Sequence, residues 1–135
     1  MKKKIKIGES EFDAIFAISE QEQSRGLMGV PWPPPAMAFP YNSAGIRKFW
    51  MHNTISPLDI IFCCAGKVIA VMAGEPLSTR NIGPDEPCDL VVELPKGTAS
   101  ACGISRGSPV QIEKSIIAVA KNIEQGTLKK FAGKY

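Results

Sequence analysis

The sequence predicts a mainly β protein: one antiparallel β-sandwich or barrel-like domain with short helices and an added C-terminal amphipathic helix. Three observations predict it. Apolar residues recur at every second position in several short runs, the period of a half-buried strand. Segments rich in Gly, Pro, Asn and Ser separate those runs and supply the turns. The length of 135 residues is a common size for one domain and lets the chain bury about two-thirds of its unfolded surface. With no internal repeat in view, residues 1–135 read as a single domain.

Each element follows from local chemistry. Lys4-Ile5-Lys6-Ile7 alternates and opens the fold as a strand, and Phe12 to Ile18 returns beside it after a bend at Gly8-Glu9-Ser10. Ser19-Glu20-Gln21-Glu22 is a capping box, in which Ser19 and Glu22 satisfy each other's helix-start donors. The helix it begins runs through Arg25 and closes at Gly26. Pro31-Trp32-Pro33-Pro34-Pro35 can neither continue a helix nor enter a central ladder, which predicts a stiff polyproline-like surface arm.

Ala36 to Pro40 reads as a brief strand and Tyr41 to Gly45 as a turn. Arg47 to Ile55 reads as a strand with Phe49, Met51, Asn53 and Ile55 on one face. Trp50, His52 and Thr54 take the other. After Ser56-Pro57, the nearly all-apolar Leu58 to Cys64 predicts a strand covered on both sides, and Ala65-Gly66-Lys67 turns it into Val68 to Met72. Gly74 to Cys88 carries Pro76, Gly83, Pro84 and Pro87, the long-loop composition that often houses function. Asp89 to Leu94 is a further strand, halted by Pro95-Lys96-Gly97. Thr98 then caps one helical turn ending at Gly103, and Val110 to Ile112 is the last strand. Over Lys114 to Gln125, Ile116, Val119, Ala120 and Ile123 fall at i, i+3, i+4 and i+7, the stripe of an amphipathic helix.

Composition excludes several classes. Hydrophobic residues make up 44% and charged residues 21%, values of a folded globule rather than a disordered chain. Sixteen Lys+Arg against 13 Asp+Glu give a net charge of +3, too mild for a nucleic-acid partner, which needs a clustered basic face. The Lys residues that gather at both ends read as solvated termini or as a weak anionic contact. No run approaches the roughly 18 apolar residues of a membrane span. No apolar segment follows Lys2 to Lys4, so the chain as given reads as cytoplasmic. Cys63, Cys64, Cys88 and Cys102 form no C-x-x-C pair and His52 is the only histidine. Buried reduced thiols are therefore expected, with no metal site and no cofactor.

Four blocks carry a family pattern. They are Glu22-Gln23-Ser24-Arg25-Gly26-Leu27-Met28, Met37-Ala38-Phe39, the long run from Phe49-Trp50-Met51-His52-Asn53-Thr54 through Pro57-Leu58-Asp59-Ile60-Ile61-Phe62, and Val92-Glu93-Leu94-Pro95-Lys96-Gly97-Thr98. The chain resembles the prokaryotic family called domain of unknown function 192, over about residues 10–112. The resemblance implies a small all-β domain with no established reaction, in a family whose members often look exported. The sequence departs from the pattern at His52, where Lys is more usual, and at Gln23, where Arg is common. The proline arm and the helical extension over 113–135 are additions to it.

Several residues invite a chemical reading beside an ordinary one. Asp59 and Glu93 each sit among apolar neighbours, where a bare carboxylate is costly. As a pair they would suit hydrolysis of a glycoside. Singly, Asp59 would bind backbone amides of the Asn53-to-Pro57 turn or pair with Arg25, and Glu93 would form a structural ion pair. His52 reads as an ordinary polar residue or a third catalytic group, and a triad would need Ser56 or Ser78 with Asp59. Trp50 with Asn53 and Thr54 offers an indole platform beside amide and hydroxyl groups, suited to a sugar or another small polar ring. The plainer reading packs Trp50 in the core.

Three functions follow. The leading one is a small-molecule-binding module whose site takes Trp50, Asn53, Thr54, Asp59, Arg25 and the 74–88 loop. The second is a hydrolase using Asp59 and Glu93 with His52. The third is an assembly protein that forms a homo-oligomer through the Pro31–Pro35 arm and the C-terminal helix.

Overall fold

The computed structural model describes residues 1–112. The helix expected over 114–125, and the homo-oligomer expected through it, lie outside the described residues. Strands β1 (Lys2–Ile7) and β2 (Ser10–Phe16) make the opening hairpin, followed by α1 (Glu20–Arg25), β3 (Ala36–Gly45), β4 (Leu58–Cys64) and β5 (Lys67–Gly74). The chain continues through β6 (Cys88–Pro95), the single turn α2 (Thr98–Ala101) and β7 (Val110–Ile112). All seven strands join one sheet in the order β5-β4-β6-β3-β2-β1-β7.

Every pairing is antiparallel except β2 with β3, which run parallel through Ala14↔Ala36 to Phe16↔Ala38. Parallel neighbours cannot be joined by a tight turn. The stretch from 17 to 35 therefore leaves the sheet, crosses one face and returns, carrying α1 with it. The capping box forms as expected: Glu22 N–H donates to Ser19 Oγ at 3.1 Å, and Ser19 N–H donates to Glu22 Oε1 at 3.0 Å. The amide of Gln23 ties α1 to the sheet by donating to the carbonyls of Ala17 and Pro40.

The sheet is curled into a half-barrel. Ile5 and Ile7 of β1 share one apolar cluster with Phe16, Ile61, Val68, Val92 and Ala99. Side chains from nearly opposite ends of the strand order meet this way only across a concave face. The edges approach at one end, where Lys67 bridges Pro109 and Val68 N–H donates to the Ser108 carbonyl at 2.9 Å. The outer face of β3, β6 and β4 holds a second cluster of Leu27, Phe39, Met51, Leu58, Ile60, Phe62, Ile82 and Val91. Phe49 stands edge-on to Phe39 at 5.0 Å and to Phe62 at 5.9 Å. Full burial of a Phe such as Phe39 or Phe62 contributes roughly 2–3 kcal/mol.

Local expectations fail in four places. β3 does not stop at Pro40: it continues to Gly45 with a register shift after Pro40, and Met37, Phe39 and Tyr41 keep one face. Arg47 to Ile55 is not a strand. Only Phe49 bridges, to Ile82, and the chain then turns at His52-Asn53, where Thr54 N–H donates to the Met51 carbonyl and Asn53 takes a positive φ of 55°. That turn resets the alternation, so that Thr54 and Ser56 point inward while Ile55 is exposed. Pro31–Pro35 is a bent segment with a cis Trp32–Pro33 bond rather than a free arm, and Pro34 is buried against the domain. Thr98 does not cap α2, because its hydroxyl donates to the Pro95 carbonyl instead.

Candidate functional site

On the outer face, between the α1 segment and the 47–54 loop, lies a cleft of about 260 Å³. Its floor is Glu93. β6 places Val92 and Leu94 in the concave core, so period 2 sends Glu93 to the outer face beside Val91. The register sets Met37 of β3 and Ile60 of β4 directly opposite it. Glu93 is only 4% exposed, and burial alone raises its carboxyl to about 8. Among the described residues no hydrogen bond or ion pair reaches that carboxyl, and no fully sealed side-chain polar atom is left unsatisfied. The Glu93 oxygens therefore open onto the cleft.

The walls come from separate segments. Phe39 and Tyr41 of β3 form one side, and Arg47 lies 3.9 Å above the Tyr41 ring, fixing it. Gly26 to Met28, which follow α1, form the opposite lip together with Gln23 and Arg25. Gly26 holds φ 50° and ψ −130°, a conformation that favours glycine, and the chain turns there directly above Glu93. From the 47–54 loop come Lys48, Phe49, Trp50, His52 and Thr54. Gly29 N–H donates to the Asn53 carbonyl at 2.8 Å and Ser56 Oγ donates to the Val30 carbonyl at 3.0 Å, stitching the two lips together.

Charge in the cleft is partly committed. The Lys48 ammonium donates to the Gly83 carbonyl at 2.6 Å and pairs with Asp85 at 2.9 Å, so its stem, not its charge, faces the site. The Arg25 guanidinium, the Trp50 indole N–H and the His52 imidazole carry no hydrogen bond among the described residues. Trp50 is half-exposed and lies across His52, ring centroids 4.9 Å apart and planes 31° from parallel.

The structure thus gathers Arg25, Trp50, His52, Thr54 and Glu93 at one cleft and leaves out the other expected residues. The Asn53 side chain does not line it. Thr54 is buried, with its hydroxyl spent on the His52 carbonyl. The 74–88 loop does not line it either, and instead buttresses it through Phe49↔Ile82 and the Met51 N–H bond to the Ser78 carbonyl.

Asp59 belongs to the opposite side. Ile60 is the register partner of Glu93, so Asp59, one residue earlier, faces the concave core, and the pair cannot share a cleft. Its Oδ2 accepts the amides of Gly97 and Ala99, both at 3.0 Å, which makes it the cap of α2 from across the sheet. The Asn53-to-Pro57 turn and Arg25, the partners expected for it from sequence, are not bound by Asp59, and it orients no His52 triad. Ser56 is equally committed, to Val30.

Phe39, Tyr41, Phe49 and Lys48 escaped the sequence reading of the site. The alternation Met37-Phe39-Tyr41 was the available signal, obscured by Pro40. The thiols of Cys63 and Cys88 are buried, and those of Cys64 and Cys102 half-buried, all unpaired. Among the described residues, no cluster of His, Cys, Asp or Glu is arranged to hold a metal ion, and no helix is long and apolar enough to cross a membrane.

A curled, seven-stranded half-barrel with a carboxyl-floored cleft on its outer face defines the class: a mainly β domain with no established reaction. The chain belongs to the domain of unknown function 192 family (DUF192, Uncharacterized ACR), whose model matches residues 3–112. It is similar to a crystal structure of a protein of unknown function from Novosphingobium aromaticivorans DSM 12444, at 27% identity and a TM-score of 0.76, covering 82% of this chain and 84% of that one. It is also similar to a "putative transcription regulator" from Sinorhizobium meliloti 1021, at 25% identity and a TM-score of 0.77, covering 83% and 94%. No curated protein matches the sequence.

Proposed function

We propose that this domain is a small-molecule-binding module, and that its cleft receives a compact polar ligand carrying a ring. One observation carries the reading: the Glu93 carboxyl is almost wholly buried, has no partner among the described residues, and opens onto a ligand-sized space. Desolvating a carboxyl costs stability even where its oxygens open onto a cleft. An apolar residue between Met37 and Ile60 would stabilise the sheet better. A carboxyl kept there, in a concave site lined by both polar and aromatic side chains, supports a binding pocket.

The rim supports the same reading. Trp50 presents a half-exposed indole, braced by His52 so that little side-chain freedom is lost when a ring stacks on it. Phe39 and Phe49 supply the apolar wall.

A thermal-shift screen of monosaccharides and small metabolites tests this. A ligand of the cleft raises the melting temperature in step with its concentration, and Trp50→Ala and Glu93→Gln each change that response. Undiminished shifts in both variants would place any binding elsewhere and end the proposal for this cleft.

A further inference from the structure

Resting on that binding reading, we infer that the ligand is a small organic acid, its carboxylate held by Arg25 and a neutral acceptor group held by Glu93. Lys48 is committed to Gly83 and Asp85, whereas Arg25 ends α1 with no partner among the described residues. Arg25 and Glu93 line the same cleft yet form no ion pair with each other. The space between them is the place for a molecule that contacts both.

Chemistry then restricts the molecule. A guanidinium takes a carboxylate through two parallel hydrogen bonds, a geometry that an amide or a hydroxyl cannot match. Glu93, between Met37 and Ile60, keeps its proton near neutral pH, as its burial requires. It therefore donates to a carbonyl or hydroxyl oxygen and does not attract an amine. The stacked Trp50 indole and His52 imidazole line the same cleft and offer a flat surface for the rest of the molecule. The charged or titratable groups that line the cleft are Glu20, Arg25, Tyr41, Lys48, His52 and Glu93. Of these, Arg25 carries the uncommitted positive charge.

The test follows the Trp50 indole and Gly26 amide resonances of the full chain during NMR titration with glucuronate, 4-hydroxybenzoate, glucose and 4-hydroxybenzamide. The acids are expected to move both resonances and to bind at least tenfold more tightly than their neutral counterparts. Arg25→Gln is expected to remove that preference while leaving the neutral probes unchanged. Between pH 6 and pH 9 the wild type is expected to lose at least tenfold in affinity for the acids, and Glu93→Gln to lose much less, which separates Glu93 from His52. Equal binding of acids and neutral probes, or an Arg25→Gln variant that keeps the preference, overturns the organic-acid inference while the binding reading survives. Probes that move neither resonance overturn both.

Discussion

Oxygen Oε1 of Glu93 lies 3.8 Å from the point where a side chain on Gly26 would begin, and Phe39 lies 3.6 Å from it. These are ordinary van der Waals distances, so a methyl group fits there in space. The backbone is what forbids it, since φ 50° with ψ −130° is a conformation that L residues rarely adopt. Gly26→Ala is expected to cost roughly 1–3 kcal/mol through backbone strain. Urea denaturation measures the cost, and a change below the noise would mean that the turn relaxes without effort.

Glu93 makes stability depend on pH with a definite sign. Its carboxyl is raised from 4.5 in the unfolded chain to about 8 in the native protein. Below pH 4.5 both states hold the proton and no stability is lost. Between 4.5 and 8 the unfolded chain releases a proton that the native protein keeps, so stability falls as pH rises, by up to about 1.4 kcal/mol per pH unit. Above 8 the loss is complete. Glu93→Gln removes the titration, so the variant's advantage over wild type should grow from pH 5 to pH 8 and reach a few kcal/mol. Parallel stability curves for the two proteins would contradict the assignment.

Asp59 is a structural residue on the other face. Removing its carboxylate leaves the Gly97 and Ala99 amides without their acceptor. Asp59→Ala is expected to cost about 1–2 kcal/mol, the usual loss of a helix cap. Hydrogen exchange should quicken at those two amides. The cleft should be untouched, with the Trp50 indole resonance unmoved, and a loss of ligand response in this variant would count against the division of faces.

Gly83 admits no side chain. A Cβ there would meet the carbonyl oxygen of Arg47, where the 75–87 loop presses on the strand-like Lys48-Phe49 segment. Gly83→Ala is expected to break the Phe49↔Ile82 bridge and to cost more than roughly 2 kcal/mol, as overpacking against backbone does. The Trp50 indole resonance should broaden or shift, because its loop loses the buttress.

Cys63 is buried and its thiol is pushed up to about 12. At pH 8 it therefore resists alkylation in the folded protein and reacts only on unfolding. Mass spectrometry after a timed iodoacetamide pulse reads this directly, and rapid native labelling of Cys63 would show that the concave core opens.

Much of the fold was written locally. The alternation of Ile5 and Ile7, the reciprocal Ser19–Glu22 cap, the apolar run at Leu58 and the halting Pro95-Lys96-Gly97 each specify an element through bonds or burial within a few residues. The apolar setting of Glu93 was legible for the same reason: one charge in a hydrophobic strand is a local anomaly. That Glu93 forms no ion pair among the described residues, against the structural pair expected for it, was not legible. Which carboxylate faces which side depends on strand register, and a single step of register separates Asp59 from Glu93.

Local residue patterns specified most of the strands, the capped helix and the presence of a costly buried carboxyl. Tertiary structure alone decided that β2 and β3 run parallel, that α1 and the 47–54 loop therefore cover the outer face, and that Asp59 is spent on α2. The reason is physical. Alternation and capping act over three or four residues, whereas a cleft forms where segments as distant in sequence as Glu20 and Glu93 are held by pairing and packing that no local pattern encodes.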